Sequence, residues 1–110
     1  VIYTGTHDNN TVRGWFDKEA DPDVKKRLFA YVGRKITADQ VHQELIRLAM
    51  MSVANLAVFP MQDILGLGQE ARMNHPAGEK NNWKWRLQKD QLRPELTEML
   101  REMTIIYGRV

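Results

Sequence analysis

The feature that most constrains the fold is a short β-prone run, residues 1 to 4, that leads directly into polar residues. Gly5 ends the run, and His7, Asp8 and Asn9 follow it. In α/β proteins, strands deliver polar side chains to the carboxyl edge of the sheet, where the active sites lie. The run therefore predicts a buried strand with a functional site at its end. Because the sequence opens inside this strand and without Met, we expect a piece of a longer protein.

Two helical segments are predicted after the polar loop. Residues 11 to 19 indicate a short helical or irregular turn. Asp21 and Pro22 then form an N-cap and a first helical position, which predicts a helix to about Val32. Gly33 is a natural carboxyl-terminal end for that helix.

A capping-box pattern and an apolar run follow. Residues 37 to 40, Thr-Ala-Asp-Gln, predict the start of a helix that ends near Ala54 or Asn55. Residues 56 to 59 are apolar on both faces, which is typical of a buried parallel strand. The sequence thus predicts a second strand parallel to the first.

The last third of the chain is predicted to be a long loop and one helix. Residues 60 to 90 are rich in Pro, Gly and Asn, and such a long loop in a compact domain is usually functional. A helix is predicted from Pro94 to about Tyr107, with Gly108 as its end. Its buried side is expected to consist of Leu96, Leu100, Met103 and Ile106 or Tyr107.

This order of elements predicts an incomplete α/β unit. Two strands cannot form an independent parallel sheet, because each would lack covering neighbours. A slice of a (β/α)8 TIM barrel, mostly helical with two short parallel strands, fits best. In that fold the loops after the strands carry the chemistry.

Composition excludes several functions. The net charge is +2 and basic residues alternate with acidic ones, which disfavours nucleic-acid binding. The chain has no cysteine, so disulfides, thiolate metal sites and Cys nucleophiles are excluded, and a reducing cytoplasm is the expected location. The longest apolar run, residues 56 to 61, is too short to span a membrane.

Asp8 is the first candidate for chemistry, beside His7 and Asn9. A carboxylate just past a strand can stabilise positive charge or bind sugar hydroxyls. The alternative is that Asp8 simply caps a turn, as Asp and Asn commonly do. The residues alone leave both interpretations open.

The segment from residue 60 to 76 also follows a strand and should lie on the same face as Asp8. Its polar groups could bind hydroxyls or form ion pairs: Gln62, Asp63, Glu70, Arg72 and Asn74. The segment lacks the third glycine of a dinucleotide site, the Gly-Lys-Ser/Thr of a phosphate loop and the spacing of a calcium loop.

The histidines and tryptophans give weaker signals. His7, His42 and His75 are too scattered in sequence to predict a metal site, and His42 is expected to be a surface or satisfied helical residue. Trp83 and Trp85 are separated by one residue, so one could pack while the other faces a ligand. Core packing is the more frequent fate of a tryptophan.

Three motifs now support a family resemblance. Residues 3 to 15 (YTGTHDNNTVRGW), 60 to 76 (PMQDILGLGQEARMNHP) and 82 to 86 (NWKWR) closely resemble the 4-α-glucanotransferases, the amylomaltases of glycoside hydrolase family 77. The resemblance implies retaining transfer of α-1,4-glucan segments between maltooligosaccharides without metal or organic cofactor. It also implies that this chain is the carboxyl-terminal part of a catalytic barrel, spanning residues 1 to 110.

The resemblance assigns roles by motif position. Asp8 corresponds to the carboxylate that supports the transition state, His7 to a hydroxyl donor and Asn74 to a substrate-contacting asparagine. The nucleophile and the acid/base belong to earlier strands outside this chain. Asp63 and Glu70 are expected to hold the loop, one of them pairing with Arg72.

The chain departs from the family at three positions. Asn10 stands where aspartate is usual, and Ala77 and Asn81 stand where glycines are common. Two other functions remain open: a hydrolase of the amylase clan, and a non-catalytic carbohydrate-binding barrel remnant. The expected partners are an α-glucan substrate and the remainder of the barrel, and the isolated chain is expected to be inactive.

Overall fold

Two short strands pair at one end of the molecule. The computed structural model describes residues 1–76, 78 and 82–110. Strand β1 (Ile2–Tyr3) and strand β2 (Ala57–Val58) are parallel, with Ile2 opposite Ala57 and Tyr3 opposite Val58. The parallel pairing is confirmed, although each strand has two residues rather than the four predicted.

The expectation that these strands are buried is wrong for this chain. Tyr3 is 53% exposed, Val58 39% and Leu56 55%. The sheet of the described residues contains only β1 and β2, so the outer edge of each strand has no neighbour. Apolar strand residues without a covering layer stay in contact with solvent.

The first two helices follow from their capping residues. Helix α1 spans Val12–Lys18, and the Thr11 hydroxyl oxygen accepts a hydrogen bond from the Gly14 amide at 3.0 Å. Helix α2 spans Pro22–Val32 behind an Asp21 cap, as predicted. It ends at Gly33, whose φ of +92° is in the left-handed region.

Helix α3 spans Ala38–Met51 and begins with the predicted capping box of Thr37 and Gln40. It ends at Ser52 rather than at residue 54 or 55. The Ser52 backbone is extended, with ψ of 167°, and its hydroxyl donates to the Ala49 carbonyl at 2.7 Å. This local hydrogen bond competes with continuation of the helix.

The segment predicted to be a long loop contains secondary structure. Helix α4 spans Met61–Leu65 and ends at Gly66, and 3₁₀ turns occupy Gln69–Ala71 and Lys89–Gln91. Helix α5 spans Pro94–Ile106, one residue short of the prediction.

The core lies between α1, α2 and α3. Its buried cluster consists of Val12, Phe16, Ile36 and Val41. Helix α5 contributes no buried residue. The predicted apolar side of α5 is only half-buried, and Ile106 is exposed.

Arg109 attaches the end of the chain to α3. Its guanidinium donates to the carbonyls of Met50, Ala49, Ser52 and Ala54, at distances from 2.7 to 3.3 Å. These bonds satisfy carbonyl groups that the end of a helix leaves without intrahelical partners. Within the described ranges, no helix is both long enough and apolar enough to cross a membrane.

Candidate functional site

The three residues singled out by sequence meet where β1 ends. The Asn74 side-chain amide donates to Asp8 Oδ1 at 2.6 Å, and His7 Nε2 lies 3.3 Å from Asp8 Oδ2. The Asp8 side chain is 50% exposed. The structure therefore brings a solvent-accessible carboxylate together with an amide and an imidazole.

The turn that contains Asp8 is closed by its neighbour Asn9. Asn9 Oδ1 accepts hydrogen bonds from the Thr6 amide at 2.8 Å and from the Thr6 hydroxyl at 3.0 Å. The Asp8 carboxylate instead contacts His7 and Asn74. Turn capping, one of the two interpretations considered for Asp8, is performed by Asn9.

Arg72 and Asn74, in the loop after α4, are joined to the loop after β1 by three hydrogen bonds. The Asn74 amide donates to the His7 carbonyl at 3.1 Å, and Arg72 Nη2 donates to the Asp8 carbonyl at 2.8 Å. The bond from the Asn74 side chain to Asp8 is the third. These bonds connect residues more than sixty positions apart in sequence.

The expected ion pair of Arg72 with Asp63 or Glu70 is wrong. Arg72 donates to carbonyl oxygens, of Asp8 through Nη2 and of Asn74 through Nε. Glu70 Oε1 instead accepts from the Gly68 amide at 3.1 Å. The Asp63 carboxylate accepts its hydrogen bonds from Thr4 and Val12 instead.

Asp63 anchors the loop from inside. Its side chain is 2% exposed and accepts hydrogen bonds from the Thr4 hydroxyl at 2.7 Å and the Val12 amide at 2.8 Å. Burial raises the pKa of Asp63, and the two hydrogen bonds partly oppose that shift. Asp63 thus joins the end of β1 to the start of α1 and to α4, as its expected loop-holding role requires.

A groove of about 560 Å³ runs beside the site. His7, Arg72 and Trp83 line it, together with apolar residues that include Phe59 and Met73. Asp8 and Asn74 do not line the groove. The lining combines polar and apolar side chains and includes Tyr3 and Val58 of the two strands.

Trp83 lies against His7 and is not a core residue. The two rings are 5.0 Å apart between centroids and inclined by 36°. Trp83 is 53% exposed and has a φ of +60°, an uncommon conformation for a bulky side chain. Trp85 is half-buried, so neither tryptophan takes the buried position that is more frequent for this residue.

His42 is a buried residue that the sequence did not reveal. It is 8% exposed, its Nδ1 has no hydrogen-bond partner among the described residues, and it packs against Gly66. Burial, and secondly the charge of Arg13, lowers the pKa of His42. The expectation of a surface or satisfied histidine is wrong, because Gly66 approaches it from a distant part of the chain.

Asn10 has a structural role that depends on its amide. Its Nδ2 donates to Glu19 Oε2 at 2.7 Å and to Gln69 Oε1 at 3.2 Å, and its Oδ1 accepts from the Thr11 amide. Two donated bonds require the uncharged amide, so an aspartate could not make them. The other two departures from the family, at positions 77 and 81, lie outside the described residues.

The described residues contain no group of three or more His, Asp or Glu side chains that is placed to hold a metal ion. We therefore assign no metal ligands among them.

Comparisons with a family model and with known proteins all indicate the same family. A family model described as 4-alpha-glucanotransferase matches residues 1–92. A 4-alpha-glucanotransferase of Aquifex aeolicus is 45% identical over 99% of this chain and 22% of its own length. Those of Synechocystis and Thermus thermophilus are 49% and 47% identical, over 99% and 94% of this chain and 21% of each relative.

The structure comparison gives the same result. The amylomaltase from Streptococcus agalactiae in complex with acarbose matches 98% of this chain and 22% of that chain, with a TM-score of 0.88 and 31% identity. The predicted fold, a slice of a (β/α)8 barrel with two short parallel strands, is thereby confirmed. The chain spans about a fifth of the length of the relatives that it matches.

Proposed function

Because this chain belongs to the 4-alpha-glucanotransferase family, we propose that the full-length protein transfers α-1,4-glucan segments between maltooligosaccharides with retention of configuration. We also propose that residues 1 to 110 form the carboxyl-terminal part of its catalytic barrel. The family match and the structural likeness to an amylomaltase support this proposal.

The observation that most directly supports this proposal is the pair of contacts made by the Asp8 carboxylate. One carboxylate oxygen accepts the Asn74 amide at 2.6 Å, and the other lies 3.3 Å from His7. A carboxylate fixed in this way and still half exposed can hydrogen-bond a sugar hydroxyl and stabilise the positive charge of an oxocarbenium-like transition state. We assign that role to Asp8, and contacts with substrate hydroxyls to His7 and Asn74.

The carboxylates that perform the covalent chemistry are expected to lie outside this chain. Retaining transfer requires a nucleophile and an acid/base, and we propose that both lie on earlier strands. Asp63 is unsuited to either role, because it is 2% exposed and accepts two hydrogen bonds. The isolated chain is therefore expected to be inactive.

The strands indicate where the rest of the protein packs. Tyr3, Leu56 and Val58 are at least 39% exposed, although apolar residues on a parallel sheet are normally covered. We propose that the remaining strands and helices of the barrel cover them. The absence of cysteine suits a reducing compartment, and we propose a cytoplasmic location.

The test is incubation of the full-length protein with maltotriose, for wild type, Asp8→Asn and a control, Asp23→Asn. Asp23 is an exposed residue of α2, so its substitution should leave the products unchanged. We expect wild type to form glucose and a ladder of longer oligosaccharides, and Asp8→Asn to lose at least about 100-fold in rate. Glucose and maltose without longer products would indicate a hydrolase. No products at all would favour the carbohydrate-binding remnant.

A further inference from the structure

Arg72 connects the two loops that carry the site residues. Its Nη2 donates to the Asp8 carbonyl at 2.8 Å and its Nε donates to the Asn74 carbonyl at 3.0 Å. A single planar group thus sets the spacing between the backbone of Asp8 and the backbone of Asn74.

The backbone at Arg72 is itself fixed by hydrogen bonds. Its backbone amide donates to the Gln69 carbonyl at 3.0 Å, at the end of the 3₁₀ turn Gln69–Ala71. The preceding residue, Ala71, is 1% exposed, and its carbonyl accepts from the Gln62 side chain at 3.2 Å. The guanidinium therefore extends from a backbone that is anchored to α4.

We propose that Arg72 is a positioning residue that sets the hydrogen bond between Asn74 and Asp8 during glucan transfer. The proposal rests on the function proposed above for Asp8. Without Arg72, the Asn74 amide would still donate to the His7 carbonyl and the Asn74 side chain to Asp8. Both of these bonds come from Asn74, so the bond from Arg72 to the Asp8 carbonyl holds Asp8 independently of Asn74. The second Arg72 bond fixes the Asn74 backbone relative to the same guanidinium.

The geometry requires arginine rather than any cation. A guanidinium presents several donors in a rigid plane, so it can bind two separate carbonyls at once. A lysine ammonium is a compact group on a flexible stem and does not hold that spacing. Among the described residues, Arg72 contacts no carboxylate, so its contribution here is one of geometry.

The test uses Arg72→Lys in the full-length protein, with Arg109→Lys as the matched control. Arg109 also donates to backbone carbonyls, but at the end of α3 and away from Asp8. We expect Arg72→Lys to lower kcat on the order of 10- to 100-fold with little change in KM, because small misplacements of reacting groups have effects of that size. Arg109→Lys should lower the unfolding temperature and leave kcat unchanged.

A double substitution separates positioning from direct binding. In an Asp8→Asn background, assayed with a maltosyl donor that has an activated leaving group, Arg72→Lys should add less than about 3-fold, since residues that act as one unit are non-additive. An undiminished effect of Arg72→Lys in that background would overturn the proposal. So would an increase in KM at unchanged kcat, which would indicate that Arg72 binds substrate directly.

Crystal structures of wild type and Arg72→Lys give a readout that does not depend on activity. We expect the distance from Asn74 Nδ2 to Asp8 Oδ1 to lengthen beyond about 3.5 Å, the limit of a hydrogen bond. An unchanged distance would refute the positioning role. If wild type itself transfers no glucan, the proposed function fails, while this distance still decides whether Arg72 positions Asp8.

Discussion

Replacing Gly66 with alanine should destabilise the protein through a clash with His42. Gly66 ends α4 with a φ of +71°. A Cβ added there would lie 2.6 Å from His42 Cε1 and 2.8 Å from His42 Nε2. The imidazole is 8% exposed, so it cannot swing into solvent to make room.

Two costs add up in Gly66→Ala. An L-residue in the left-handed region costs about 1–2 kcal/mol, and overpacking a filled interior costs about 1–3 kcal/mol. The expected loss of unfolding free energy is therefore about 2–5 kcal/mol. Gly33→Ala is the matched control, because Gly33 has a φ of +92° and no atom within 4 Å of an added Cβ. The control should cost only the backbone term, about 1–2 kcal/mol.

The assay is urea unfolding of the full-length protein at a fixed pH, with both substitutions measured in the wild-type and the His42→Ala backgrounds. Removing the imidazole should abolish the excess cost of Gly66→Ala and leave the cost of Gly33→Ala unchanged. Equal losses for the two glycines would refute the reasoning. An excess that persists without the imidazole would refute it as well.

Three further predictions concern charge and hydrogen bonding in the full-length protein. The lowered pKa of His42, against 6.5 in the unfolded chain, means that the folded state binds fewer protons, so stability is lost as pH falls below about 6.5. In His42→Gln, the unfolding free energy should decrease less than in wild type between about pH 7.5 and 5.5, as measured by urea unfolding at each pH. Asp63→Asn should lower the unfolding free energy by about 1–3 kcal/mol through mismatched buried donors, while kcat stays within about 3-fold. Intact stability with turnover abolished would contradict the anchoring role of Asp63. Asn10→Asp should cost about 0.5–1 kcal/mol at low salt, since it replaces an amide donor beside Glu19 with a like charge, and the cost measured by urea unfolding should fall at about 1 M salt, which screens the repulsion. A cost independent of salt would contradict a charge origin.

The correct helix boundaries came from capping signals that lie within a single turn of chain. Helix α2 has the predicted boundaries because Asp21 caps its start and Gly33 ends it. The capping box at Thr37 likewise marked the start of α3. Both signals depend on residues a few positions apart, which a sequence displays directly.

The errors at Arg72 and His42 concern partners that lie far apart in sequence. Opposite charge suggested a carboxylate partner for Arg72, but folding places the Asp8 carbonyl there, 64 positions away. His42 gave the pattern of a surface helical residue until Gly66 packed on it. The role of Asp8 was inferred from its motif, while the arrangement that holds it became visible only in three dimensions.

The bonds that join the two loops also have a consequence for the order of folding. The contacts of Asp8 with Arg72 and Asn74 close segments of 64 and 66 residues, whereas the capping bonds of α1 and α2 close segments of three. Closing a long segment costs more chain entropy than closing a short one, and contacts distant in sequence slow folding. We therefore expect the helices to gain protection from hydrogen exchange first and the Asp8 loop to gain it last.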